Sequence, residues 1–176
     1  PDWMLGVNML HKRDNEGRNT VSTLQTGGLL PGEIVLDVEF GVSDGDLGAG
    51  SGLFAALAHD GDALRYRGKF YQADENFKGY YRNQRYFGVE FNYQAEDSPW
   101  DFRGYYRHQQ LNLDLVPDLS APLDDDILLG VGYVWPGGDR LGLDLRHRPK
   151  HCGGERFAGR LRCRHELHRQ HLPALD

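Results

Sequence analysis

The 176-residue chain contains no apolar run approaching the roughly 20 residues that a membrane-spanning helix requires, and with 39% apolar residues and a mean hydropathy of −0.62 it is not a helical membrane protein. Cysteine is almost absent. Cys152 and Cys163 are the two present, so no disulfide can brace anything before them. They are too far apart for the close C-x₂₋₄-C pair of a structural zinc site. His165-Glu166-Leu167-His168 likewise misses the H-E-x-x-H spacing by one residue, so with His171 nearby the expectation is still no metal and no cofactor. Glycine-rich Gly48-Ala49-Gly50-Ser51-Gly52 lacks the lysine and the strand-to-helix setting of a phosphate-binding loop. Ser22, Ser43, Ser51, Ser98 and Ser120 read as strand or turn residues, with only His11 and His108 placed near one rim, so no catalytic group is expected.

What the sequence does have is period-two alternation. In Glu33 to Ser43, Ile34, Leu36, Val38, Phe40 and Val42 share one face while Asp37 and Glu39 occupy the other. Leu64, Tyr66, Gly68 and Phe70 oppose Arg65, Arg67 and Lys69. Phe87, Val89, Phe91 and Tyr93 oppose Tyr86, Glu90, Asn92 and Gln94. Trp100, Phe102, Gly104 and Tyr106 oppose Asp101, Arg103, Tyr105 and Arg107; Ile127 to Trp135 and Arg140 to Arg146 continue the pattern, and Trp3 to Met9 opens it. Asn19 to Thr26 is mostly polar. Gly52 to Ala58 is small and apolar on both faces, so a short helix starting at Leu53 competes with a strand there. Nine segments result, each suited to apolar surroundings on one side and water on the other.

Connections are expected to alternate in length. Long ones fall at His11 to Arg18, Ser43 to Gly50, Ala73 to Arg82 and Leu115 to Asp126, the last carrying Asp124, Asp125 and Asp126 as a solvated acidic run. Short ones fall at Gly27 to Gly32, His59 to Asp62, Glu96 to Pro99 and Pro136 to Asp139, rich in the Gly, Pro and Asp that tight turns need. An up-and-down meander puts Trp3, Trp100 and Trp135 together at the short-turn end, where, with Tyr93, they suit a membrane–water interface.

These features make residues 1–147 resemble the outer-membrane β-barrel proteins of Gram-negative bacteria. More loosely, Thr20 to Gly28 and Val35 to Asp46, with Gly41-Val42-Ser43-Asp44-Gly45-Asp46, are similar to the barrel portion of large bacterial surface proteins. The resemblance implies an all-β, antiparallel up-and-down transmembrane β-barrel in the bacterial outer membrane. It also implies contact with outer-membrane lipid and the barrel assembly machinery, and an attached passenger or surface domain as a further partner; no nucleic acid is expected. Pro1-Asp2-Trp3 shows no signal-peptide pattern, and nine is an odd count for such barrels, so a partial barrel of about nine strands is expected.

From residue 148 onward the pattern stops. Residues 148–176 hold seven Lys or Arg against three acids, leaving thirteen against twenty-three in the body, and read as a disordered basic tail. On the body, the polar face carries Arg65, Arg67, Lys69, Glu90, Arg103, Arg107, Asp37 and Glu39, which a barrel turns toward its lumen, where charged rows select solutes by sign. The functional expectation is a passive pore, export channel or surface anchor, not an enzyme. The alternative is a soluble β-barrel or sandwich binding a ligand, with Phe87, Phe91, Trp100 and Phe102 turned inward and the Arg65 row facing solvent.

Overall fold

The computed structural model describes residues 3–14, 17–46, 48–79, 81–114 and 123–151. Its strands are β1 (Met4–Asp14), β2 (Gly17–Leu30), β3 (Ile34–Gly45), β4 (Gly50–Asp60), β5 (Leu64–Ala73), β6 (Gln84–Gln94), β7 (Trp100–Leu111), β8 (Leu123–Val134) and β9 (Arg140–His147). Each pairs antiparallel with the next, giving nine up-and-down strands in one open sheet, and the two-residue β10 (Lys150–His151) extends the β9 edge by pairing with Leu123 and Asp124 of β8. Among the described residues there is no helix. Cys152, Cys163, His165, His168 and His171 lie outside them.

Gly52 to Ala58 is strand throughout. Its backbone is paired on both sides, to β3 and β5, and its small inner-face side chains leave room for long neighbours: Ala56 is opposite Lys69 and Ala58 opposite Arg67. The polar Asn19 to Thr26 segment likewise lies within β2, held between β1 and β3. Two of the four long connections are short, because strands run through their polar residues: only 15–16 separate β1 from β2 and only 46–49 separate β3 from β4. The turn after β2 is also tighter than expected, Pro31 to Glu33. There Gly32 and Glu33 take φ of 82° and 60°, the left-handed conformation a tight hairpin demands. The connections at 74–83 and 112–122 are long, as expected.

Asp124, Asp125 and Asp126 are a correction. They belong to β8, not to a loop, because partners on neighbouring strands and just beyond β9 take them up: Asp124 with Arg148, Asp126 with Arg146, Asp125 with His108.

Directly opposed residues in antiparallel strands share a face, so the register sorts the whole sheet into two. One face runs from Leu5, Val7 and Met9 on β1 through Phe40, Leu57, Val89 and Phe102 to Leu141, Leu143 and Leu145 on β9. The other carries most of the charges; Arg13, Arg18, Asp44, Arg85 and Asp125 fall on the first face, at its long-connection end. Buried apolar residues among those described are only Tyr71, Ala73 and Phe77, clustered on the polar face near the connection between β5 and β6. The sheet therefore has no separate hydrophobic core, and its apolar face is left open.

Candidate functional site

Every one of the eight charged residues picked from the sequence sits on the polar face: Asp37 and Glu39 on β3, Arg65, Arg67 and Lys69 on β5, Glu90 on β6, Arg103 and Arg107 on β7. That face is concave. Val35 of β3 and Arg107 of β7 line a common hollow of about 320 Å³, although four strand spacings cover about 19 Å in a flat sheet. A second hollow of about 540 Å³ lies beside Arg65, Glu90, Asn92, Arg103, Tyr105 and Asp144.

These charges do not form one free basic wall. Arg103 makes a bidentate pair with Asp144 of β9, at 2.8–3.0 Å. The pair passes over Gly130 of β8, where any Cβ would collide with the Asp144 carboxylate and the Arg103 stem. In the same way Arg140 of β9 reaches the buried Asp101 of β7 at 2.7 Å, over Gly132. Arg146 holds Asp126 with two further bonds, and Asp126 also accepts from the Tyr105 hydroxyl. Arg148, beyond β9, is held above its ordinary pKa by its paired hydrogen bonds to Asp124. Arg107 lies 4.5 Å from the Tyr105 ring centroid, within cation–π reach. Arg65 and Arg67 keep only loose contacts with Asp60, at 3.6 and 3.9 Å, and stay exposed.

The connection after β5 folds back across the polar face, which sequence reasoning did not foresee. Its Phe77 is buried against Gly41 of β3 and Gly52 of β4, where an added Cβ would stand 2.9 Å and 2.7 Å from the ring. Ser43 donates to the Asn76 carbonyl and accepts from the Lys78 N–H. Asp74 accepts from the amide and hydroxyl of Ser51, at 2.9 and 2.7 Å. Tyr81 stacks on Tyr71 at 3.9 Å between centroids, and Tyr71 on Tyr86 at 5.1 Å. Lys69 Nζ sits 5.5–5.6 Å from the Phe54, Tyr71 and Tyr81 rings, so it meets aromatic rings at the border of the first hollow. Asn83 and Asn112, both at positive φ, hydrogen-bond each other and join this connection to the next long one.

The apolar face has its own boundaries. Its central band, from Leu5–Met9 on β1 to Leu141–Leu145 on β9, contains no Asp, Glu, Lys or Arg. Trp3, Tyr93, Trp100 and Trp135 all lie at its short-turn end, 38–48% exposed, and Tyr133 joins Trp100 and Trp135 edge-on at 4.8 and 5.0 Å. The opposite end is polar: Arg13 faces Arg18, Arg85 donates to Gln72, and Asp125 accepts from Tyr106 and meets His108 at 2.8 Å. His11 meets Thr20 at 3.0 Å. The Ser43 and Ser51 hydroxyls are engaged by the folded-back connection, not by a histidine.

In comparison with known proteins, the chain matches no family model, no curated protein and no solved structure.

Proposed function

We propose that this sheet is the wall of an outer-membrane β-barrel that serves as a passive pore, export channel or surface anchor, without enzymatic activity. One observation carries the reading: across one face, nine adjacent strands present a charge-free apolar band, edged by aromatic residues at one end and polar ones at the other. The apolar stretch Ile34–Val42 spans about 30 Å of strand, or about 23 Å once tilted by about 40°, close to the roughly 25 Å apolar band of such barrels. A soluble monomer rarely leaves a contiguous apolar patch above a few hundred Å² open. Phe87, Phe91, Trp100 and Phe102, which the soluble alternative buries, are 40–46% exposed.

In this reading the partners are outer-membrane lipid, the machinery that inserts barrels and a passenger or surface domain. The edge strands β1 and β9 run in the same direction, so antiparallel closure takes an odd number of additional strands.

Two measurements test it. In vesicles containing bromine-labelled lipid, the tryptophan emission of the folded protein is expected to be quenched; unquenched emission sinks the membrane reading. Val89→Arg is expected to cost about 2–4 kcal/mol of folding stability in lipid, while Glu90→Arg, one residue on and facing the other way, changes it far less. Equal effects on chemical unfolding would mean the two faces do not meet different solvents.

A further inference from the structure

We propose that the connection between β5 and β6 is a fixed constriction, pinned by Phe77, that sets the largest hydrophilic solute able to pass along the polar face. This rests on the pore reading above. Three observations carry it. The first is direction: a ten-residue polar connection (74–83) at a sheet end has every solvation reason to extend into water, yet this one lies over β3, β4 and β5 on the concave side. The second is a prepared seat. Gly41 and Gly52 are inner-face positions of neighbouring strands, directly opposed in the register, and the Phe77 ring occupies the space their missing side chains leave. The third is fastening beside the ring at separate points: Asn76 and Lys78 on Ser43, and Tyr81 stacked on Tyr71.

Such a segment differs from a gate. A gate needs a second arrangement of comparable free energy, whereas displacing this one exposes an apolar ring and breaks both Ser43 hydrogen bonds at once. It also decides what passes. With the wall from β3 to β5 covered near the long-connection end, one hollow that stays open reaches from Arg65 on β5 past Glu90, Asn92, Arg103 and Tyr105 to Asp144 on β9. Those groups favour small hydrogen-bonding solutes over apolar ones.

The test uses the full chain reconstituted in lipid vesicles, with uptake of neutral mono-, di- and trisaccharides followed by osmotic swelling. Phe77→Ala removes the pin, and Gly41→Leu fills its seat; both are expected to shift the size limit to a larger sugar than wild type admits. Folding of each variant is checked by circular dichroism and by resistance to detergent-induced unfolding, and Phe77→Ala, which alters only the connection, serves if Gly41→Leu does not fold. If wild type admits sugars and a folded Phe77→Ala keeps the same limit, the constriction is overturned while the pore reading stands. If folded wild type admits none of the sugars, both fall together.

Discussion

The polar face is filled in two different ways, and the contrast between β3–β5 and β7–β9 shows what holds it. Over β3–β5 the filling is a piece of chain: Phe77 in its glycine seat, with Tyr81 on Tyr71 beside it. Over β7–β9 the filling is charge: Arg140 to Asp101 and Arg103 to Asp144, each reaching across β8. Glycine serves both. Gly41 and Gly52 admit a ring, and Gly130 and Gly132 admit carboxylates and a guanidinium stem. A glycine at an inward strand position costs strand stability, and in this sheet four of them mark where something crosses over.

If the two fillings differ in kind, they should differ in how they fail. The largest effect is expected at the ring. Phe77→Ala leaves a void over two glycines that no neighbouring side chain can close, at a cost of about 3 kcal/mol by the usual scale for buried phenylalanine. Gly52→Val, by adding a Cβ where the ring lies, should destabilise the same region without touching the ion pairs. Denaturant unfolding in detergent measures both; a change below about 1 kcal/mol for Phe77→Ala would mean the ring rests on the sheet without supporting it.

A smaller loss is expected at the ion pairs, and it should grade with burial. Asp101 is only 5% exposed, so Arg140→Met strands a carboxylate and is expected to cost about 2 kcal/mol, less than a fully buried pair because Arg140 itself is half in water. Arg103→Met breaks a bidentate pair whose members are 42% and 31% exposed and should cost about 1 kcal/mol. Arg65→Met, beside Asp60 at 3.6 Å with both side chains more than two-thirds exposed, should cost nothing measurable. Equal losses at all three sites would mean that geometry across β8 contributes nothing.

The sequence revealed the sheet more fully than its contents. Alternation is local, and Ile34 to Val42 or Phe87 to Tyr93 displays it without reference to any partner. Strand ends were misread where strands continue past the apolar band: Lys12, Arg13, Arg18 and Asp44 look like loop residues, yet all lie in β1, β2 or β3. The acidic run Asp124 to Asp126 was misread for a related reason. Its partners are seventeen to twenty-four positions away, with Asp124 and Asp126 turned to one face and Asp125 to the other. The inward turn of Phe77 left one faint signal, an aromatic residue in a polar connection. Its seat, Gly41 and Gly52, lies thirty-six and twenty-five residues earlier and is invisible until the register brings those two side by side.

The smallest structural change carries the sharpest functional test. Of the five cations picked from the sequence on the polar face, Arg103 is matched by Asp144, Lys69 lies among three rings and Arg107 lies on Tyr105, which leaves Arg65 and Arg67 as the pair held by no more than loose contacts with Asp60. A permeating ion feels fixed charges within about 8 Å at physiological salt. Arg65→Glu with Arg67→Glu should therefore move the reversal potential in a planar bilayer toward cation preference, with almost no effect on stability. Arg103→Gln should shift selectivity to the same side by a smaller amount, because the loss of one positive charge frees Asp144, whereas the double exchange changes the exposed pair by four charges. If Arg103→Gln shifts selectivity as far as the Arg65 and Arg67 exchange, the permeation path runs along β7–β9. The ion pairs, and not the exposed arginines, would then be what a passing solute meets.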